Sequence, residues 1–262
     1  MQAPSLLADL LLCLRFCSRL PLPVLAGELA PHGFSAFSRA AGLLPLAGGI
    51  IGALAALVLT IAASLGFPPP VTALLALASL VLLTGALHED GLADCADGFG
   101  GGTGRERKLD IMRDSRIGTF GTVALVLTLL LRFASLAEIT AANPYLAAMV
   151  LIGGAALSRA AALLPLALLP AARSTGLGFA AGRPRPAAFA LAAVLGLAIA
   201  FAPSLAGAGW VAILGAVVAA AGTGLGVTAL ARQQIGGHTG DVAGASQQMS
   251  EIAFYLALAR MA

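Results

Sequence analysis

The stretch from Ala40 to Leu87, AAGLLPLAGGIIGALAALVLTIAASLGFPPPVTALLALASLVLLTGAL, contains no charged residue. A bilayer core takes ~20 apolar residues per helical crossing, and Pro68-Pro69-Pro70 cuts this run into two pieces of about that length. A helical hairpin in a membrane is the reading that uses both features. Outward from it the pattern recurs, from Gly121 to about Ala141 and Tyr145 to about Leu169 with a turn at Asn143-Pro144, and again over Ala187 to Ala231 with a turn around Pro203 to Gly209. The expectation is an all-α, polytopic transmembrane bundle of six spans in three hairpins, forming one domain over residues 1–262.

Composition supports the membrane class. Hydrophobic residues make up 59% and charged residues 10%, whereas soluble domains carry ~25% charged residues, and a mean hydropathy of +0.96 leaves too little polar surface to cover a soluble exterior. The basic residues alternate with the hairpins. Arg15, Arg19 and Arg39 precede the first, Arg105 to Arg116 the second, Arg173, Arg183 and Arg185 the third, and Arg232 follows it, while the three turns hold none. Lys and Arg enrich cytoplasmic loops, so both chain ends are expected on the cytoplasmic side of a bacterial inner membrane. The net charge of +3 is thereby topological, and without a basic stripe interleaved with aromatics no nucleic-acid partner is expected.

The ends are less regular. Leu6 to Leu20 is short for a span and suits the interface, Ile252 to Ala262 is a candidate partial or seventh span, and no cleavable leader is expected. Cys13, Cys17 and Cys95 have neither even pairing nor histidine at ligand spacing and read as small apolar fillers. Abundant glycine and alanine suit close helix packing. Oligomeric state is open, a homo-oligomer included.

Charge concentrates between Glu89 and Arg116, which hold 12 of the chain's charged residues, seven of them carboxylates. If Leu87 to Asp97 continues the second span, Asp90, Asp94 and Asp97 fall at i, i+4 and i+7 on one face. Hard oxygen ligands so arranged suit Mg²⁺, which completes its shell with water and substrate phosphates. Asp110 and Asp114 repeat the spacing on a second helix, making Asp114 a fourth metal candidate. Between them Gly98 to Gly104 reads as a turn whose glycines, Gly100 and Gly101 among them, admit a phosphate, with Arg105, Arg107, Lys108, Arg113 and Arg116 to meet its charge. Read alone, an acidic run is a solvated, salt-bridged loop; aspartates sharing a face beside a glycine loop at the membrane edge favour function. His88 is read as a structural helix-end residue or, as a neutral imidazole, a base.

A second polar island, Gly236-Gly237-His238-Thr239-Gly240-Asp241 with Ser246, Gln247, Gln248 and Glu251, falls on the same expected side. Thr239, Asp241 and Gln247 are substrate-binding candidates in a shared cleft. Arg159 and Arg173 join them, Arg159 because an ion inside an apolar stretch requires a cavity or a partner; Arg132 is expected to pair structurally, with Glu138.

Taken together, the blocks resemble the adenosylcobinamide-GDP ribazoletransferase family. They are His88 with Asp90-Gly91-Leu92-Ala93-Asp94 and Asp97-Gly98, then Ile111-Met112-Arg113-Asp114-Ser115-Arg116-Ile117-Gly118, then Gly236 to Asp241 with Gln247-Gln248 and Glu251, preceded by Arg19-Leu20-Pro21-Leu22-Pro23. Glu89 and His238 depart from it. The resemblance implies that adenosylcobinamide-GDP reacts with α-ribazole or its 5′-phosphate to release GMP, that Mg²⁺ is the metal, held by Asp90, Asp94, Asp97 and Asp114, and that the active face is cytoplasmic. Two rivals are a CDP-alcohol phosphotransferase, whose pattern wants arginine where Asp94 stands, and a transporter, which leaves the glycine loop unexplained.

Overall fold

The computed structural model describes residues 5–25 and 34–260, and among them every regular element is helical. They are α1 (Leu6–Cys17), α2 (Phe37–Ala40), α3 (Leu44–Ser64), α4 (Pro69–Thr84), α5 (Leu87–Gly101), α6 (Arg105–Ile111), α7 (Thr119–Ala142), α8 (Pro144–Ala161), α9 (Leu163–Leu168), α10 (Leu177–Ala181), α11 (Pro186–Ala200), α12 (Trp210–Ile235) and α13 (Gly240–Ala259). Five helical stretches are long and apolar enough to cross a membrane: Phe37–Ser64, Thr119–Ala142, Pro144–Leu168, Pro186–Ala206 and Trp210–Ile235. They coincide with the expected spans to within a few residues.

The turn signals act as first-turn residues. Pro69, Pro144 and Pro186 each open a helix, where a missing N–H costs nothing, and the Asn143 side chain caps α8 by accepting from the Tyr145 and Leu146 amides at 3.0 and 3.2 Å. Small residues set the central crossing. A Cβ on Gly52 would stand 2.6 Å from the Leu151 carbonyl oxygen, and one on Gly48 would collide with Ala155 and Arg159, so α3 and α8 pack backbone to backbone.

Two features depart from the expected hairpins. The second helix does not continue through the acidic stretch: Gly85 and Ala86 both adopt left-handed conformations, with φ of 62° and 57°, and α5 leaves α4 at 85°. At 16 residues α4 carries most of a crossing, and α5 lies across the bundle instead of along the spanning direction. The non-glycine Ala86 at positive φ costs ~1–3 kcal/mol, offset by the packing of α5 against α7 and α13.

The other departure is α13. The sequence suggests a terminal segment from Ile252; the helix instead begins at Gly240 and runs 20 residues. It is antiparallel to α12, with Ser250 Oγ donating to the Ala220 carbonyl at 2.9 Å, and Ser246 Oγ donating to the Ala161 carbonyl of α8 at the same distance. Ser246, Gln247, Gln248, Ser250 and Glu251 are all buried in the protein interior, so this helix is too polar to pass as a span yet is enclosed by others. Antiparallel to α12, it runs back from Gly240 toward the Trp210 end of that helix. A small apolar cluster, with Leu92 and Cys95 of α5, Leu109 of α6, Ile235 of α12 and Val242 and Ala245 of α13, lies beside the site and fixes α5 against α13.

Candidate active site

On α5 the three aspartates do not act alike. Asp97 is buried, and its carboxylate accepts from the backbone amides of Gly118 at 2.7 Å and Gly121 at 2.8 Å, satisfying orphan donors at the start of α7. A Cβ at either glycine would strike the carboxylate, which accounts for both glycines. Both oxygens are committed, and Asp97 is a helix cap here, not an open ligand. Asp97→Ala is therefore expected to lower stability by ~1–2 kcal/mol, read by thermal unfolding in detergent; an unchanged melting temperature would remove the capping role.

The start of α13 is built by a short parallel bridge. The Ala172 amide donates to the His238 carbonyl and the His238 amide to the Pro170 carbonyl, each at 2.8 Å, and Thr239 Oγ1 caps α13 by accepting from the Val242 amide at 3.3 Å. Asp241 then takes Thr239 Oγ1 at 3.0 Å and Arg173 Nη2 at 3.1 Å on one carboxylate oxygen. Arg173 Nη1 is buried without a partner.

Glycines bring the two helices into backbone contact. A Cβ on Gly91 would stand 2.9 Å from the Asp241 carbonyl oxygen, and one on Gly244 3.3 Å from His88 Cα. This crossing sets Asp90 and Asp94 of α5 beside Asp241 of α13. Burial raises the Asp94 carboxyl to about 7, with the charges of Asp241, Asp90 and Asp97 adding to it and Arg173 opposing; burial also raises Asp241, against the pull of Arg173 and Thr239. A cavity of about 110 Å³ opens at the crossing, lined by His88, Asp90, Arg159 and Asp241 on its polar side.

The expected four-aspartate ligand set is not assembled. Among the described residues no three His, Cys, Asp or Glu side chains stand close enough to hold a metal ion together. Besides the commitment of Asp97, α6 ends at Ile111, so Asp114 lies in the turn beyond it, where Arg116 grips it at 2.6 Å and holds it down at about 2. Arg113 and Arg116 are exposed. The glycine turn is also different: α5 stays helical through Gly101, a Cβ on Gly100 would meet the Phe120 ring at 2.7 Å, and one on Gly98 would meet Met112 at 2.5 Å. Gly98 and Gly100 admit neighbouring helices, and Gly101 is open enough that a Cβ would only touch Ile111 at 3.7 Å.

Sequence reading missed the deepest polar cluster. Arg132, 1% exposed in its side chain, pairs with Glu89 at 2.8 Å and Glu251 at 2.6 Å, not with Glu138. Glu251 also meets Arg159 at 3.4 Å, Ser158 at 3.2 Å and Gln247 at 2.8 Å, and Gln248 accepts from Arg132 at 3.1 Å. Four helices, α5, α7, α8 and α13, are tied at one point, and Gln247 is a member of that knot with no access to the cavity. The signal that would have found it is charge in apolar surroundings: Arg132 and Arg159 each needed a carboxylate, and Glu89 and Glu251 sit on the helices that pack against theirs. Arg105, expected among the basic residues that meet a phosphate, instead clamps the site's rim by donating to the Ile235 carbonyl at 3.0 Å and the Ala172 carbonyl at 2.5 Å.

Comparison with known proteins supplies a family. The family model described as cobalamin-5-phosphate synthase matches residues 9–259. An adenosylcobinamide-GDP ribazoletransferase of Azorhizobium caulinodans is 48% identical over 258 residues, covering 98% of this chain and 97% of the relative. Proteins of the same name from Bradyrhizobium diazoefficiens and Brucella anthropi are 44% and 41% identical, covering 97% of this chain in each case and 94% and 96% of the relatives. No solved structure matches the chain. With a match spanning all but the first and last few residues, the chain belongs to the cobalamin-5-phosphate synthase family.

Proposed function

We propose that the chain joins adenosylcobinamide-GDP to α-ribazole, or to its 5′-phosphate, and releases GMP, at the cytoplasmic face of a bacterial inner membrane and with Mg²⁺ on the diphosphate. Family membership supports the reaction and disfavours phospholipid synthesis and transport. The observation that carries the site is the Gly91–Asp241 crossing, which brings Asp90 and Asp241 to one cavity, with Asp94 next to them and Arg173 bound to Asp241.

The donor set fits the metal in the form Mg²⁺ usually takes, with one or two protein carboxylates and the rest of the shell from water and phosphate. Asp94 and Asp241 would hold it, with Asp90 beside them, since the repulsion of carboxylates within a partly buried site is what a divalent cation relieves. When bound, the cation neutralises charge on the diphosphate and on departing GMP. The chain's own part is positioning. Arg173 is anchored by Asp241 through Nη2 and keeps Nη1 for a phosphate oxygen. The acceptor's ribose hydroxyl attacks the phosphorus bearing the corrinoid arm; the new P–O bond forms as the bond to GMP breaks, the hydroxyl proton is released to solvent, and GMP leaves on the opposite side.

Purified protein in liposomes, given adenosylcobinamide-GDP, α-ribazole and Mg²⁺, is expected to form adenosylcobalamin and GMP in equal amounts, and to stop when the cation is chelated. No GMP under these conditions would overturn the reaction; GMP formed equally well in chelator would overturn the metal.

A further inference from the structure

His88 is 7% exposed and lines the cavity at the α5–α13 crossing, and its nitrogens are open to that space instead of standing among the enclosed, unpaired side-chain atoms. Polar groups inside a protein are almost always paired, so an imidazole turned into an internal space is available to a partner that enters it. Apart from the aspartates and Arg159, whose guanidinium is held by the Ala155 carbonyl and Glu251, the rest of the lining is largely apolar, with Phe37, Leu44, Leu163 and Leu166. Asp90 and Asp241 stand at the same cavity, so whatever enters lies next to the centre that handles phosphate.

These features define an occupant. It has a flat apolar body, a single hydrogen-bonding atom on one edge, and an attachment that leads to the aspartates. In the proposed reaction, three aromatic groups arrive with the substrates. Guanine and adenine carry donors and acceptors around most of their perimeter and would leave several unsatisfied against Phe37, Leu44, Leu163 and Leu166. The dimethylbenzimidazole of α-ribazole has apolar edges, one ring nitrogen taken by the sugar and one free acceptor nitrogen. Size agrees: the cavity of about 110 Å³ is near the ~150 Å³ that holds one benzene ring. The second ring extends into an adjoining groove of about 330 Å³, which shares Phe16, Phe37, Leu87 and Leu177 with the cavity.

We infer that the cavity beside His88 is the acceptor subsite, taking the benzimidazole of α-ribazole with the His88 imidazole N–H donating to its free ring nitrogen. This rests on the proposed reaction for the choice of ligand but not on turnover. His88 thus acts as a specificity-determining residue: it holds the base while the ribose hydroxyl is presented at Asp90, Asp94 and Asp241.

The test removes the acceptor atom from the ligand as well as the donor from the protein. Equilibrium binding of α-ribazole, followed by its own fluorescence in nanodiscs without adenosylcobinamide-GDP, is compared with binding of the matching indole riboside, in which C–H replaces the free nitrogen. Wild type is expected to prefer α-ribazole by ~10-fold, the size of one buried hydrogen bond. His88→Ala loses that preference to within ~2-fold, and His88→Gln, which keeps an N–H donor, retains most of it. In turnover, His88→Ala raises KM for α-ribazole and leaves KM for adenosylcobinamide-GDP unchanged. Equal binding of the two ribosides by wild type, a preference that survives in His88→Ala, or a KM effect confined to adenosylcobinamide-GDP would each overturn the inference. A wild type that discriminates between the ribosides but forms no GMP would instead count against the proposed reaction alone.

Discussion

Asp94→Asn is expected to reduce transfer by ~10³-fold or more while the protein still inserts, folds and binds α-ribazole. The magnitude follows from removing charge at a centre where phosphoryl transfer depends almost wholly on positioning and electrostatics. Asp94 is half-buried, and its carboxyl is held up at about 7 by burial and by Asp241, Asp90 and Asp97. A proton and a divalent cation therefore compete for it. Above about 7 the carboxylate is free to bind the cation, and below it each further pH unit weakens apparent cation affinity by up to ~10-fold per proton displaced. Asn abolishes that competition along with the activity. Turnover within ~10-fold of wild type, with Mg²⁺ saturation independent of pH between 6 and 8, would remove Asp94 from the proposed metal site.

Arg132→Met is expected to be the most damaging single change to stability, at ~3–5 kcal/mol. The interior knot contains two arginines and two glutamates, Arg132 and Arg159 with Glu89 and Glu251. Losing Arg132 leaves two carboxylates and one guanidinium out of reach of water, and the uncompensated charge sets the cost. Removing Glu89 as well restores the balance, one guanidinium to one carboxylate. The double variant Arg132→Met with Glu89→Leu is thus expected to melt at a higher temperature than Arg132→Met alone, although it lacks more of the native contacts. Thermal unfolding in one detergent compares the three proteins; a double variant less stable than the single one would show that contacts, not charge balance, dominate.

The spans were legible because their signals are local. The charge-free run from Ala40 to Leu87, the proline turns and the alternating arginines need no knowledge of what packs against what. The pairing of Asp90 and Asp94 with Asp241 was also within reach, since both polar islands fall on one expected side. What escaped depends on partners distant in sequence. The i, i+7 spacing puts Asp97 on the face of Asp90, but the amides of Gly118 and Gly121 lie 21 and 24 residues further on and claim its carboxylate. Glycines 98 and 100 look like a phosphate loop because a glycine admits either a ligand or a neighbouring helix, and only Met112 and Phe120 reveal which. Ser246 to Glu251 read as part of a substrate cleft because polarity alone does not distinguish a ligand from buried arginines.

Glu251 and its neighbours on α13 have a consequence for biogenesis. Hydropathy does not mark α13 as a span, so it supplies little insertion signal of its own, and it leaves the ribosome after the other helices. Until then Arg159 of α8 lacks its ion-pair partner, and Arg132 of α7 has only Glu89. An arginine near the middle of an inserted helix costs ~2.5–3.5 kcal/mol on insertion scales. The half-made protein is thus loaded with positive charge that its last helix discharges, so docking of α13 draws its driving force from the assembled bundle and not from lipid. The same event places Asp241 against Gly91, so the proposed site is completed only when α13 has docked, and a chain truncated before α13 carries no assembled site.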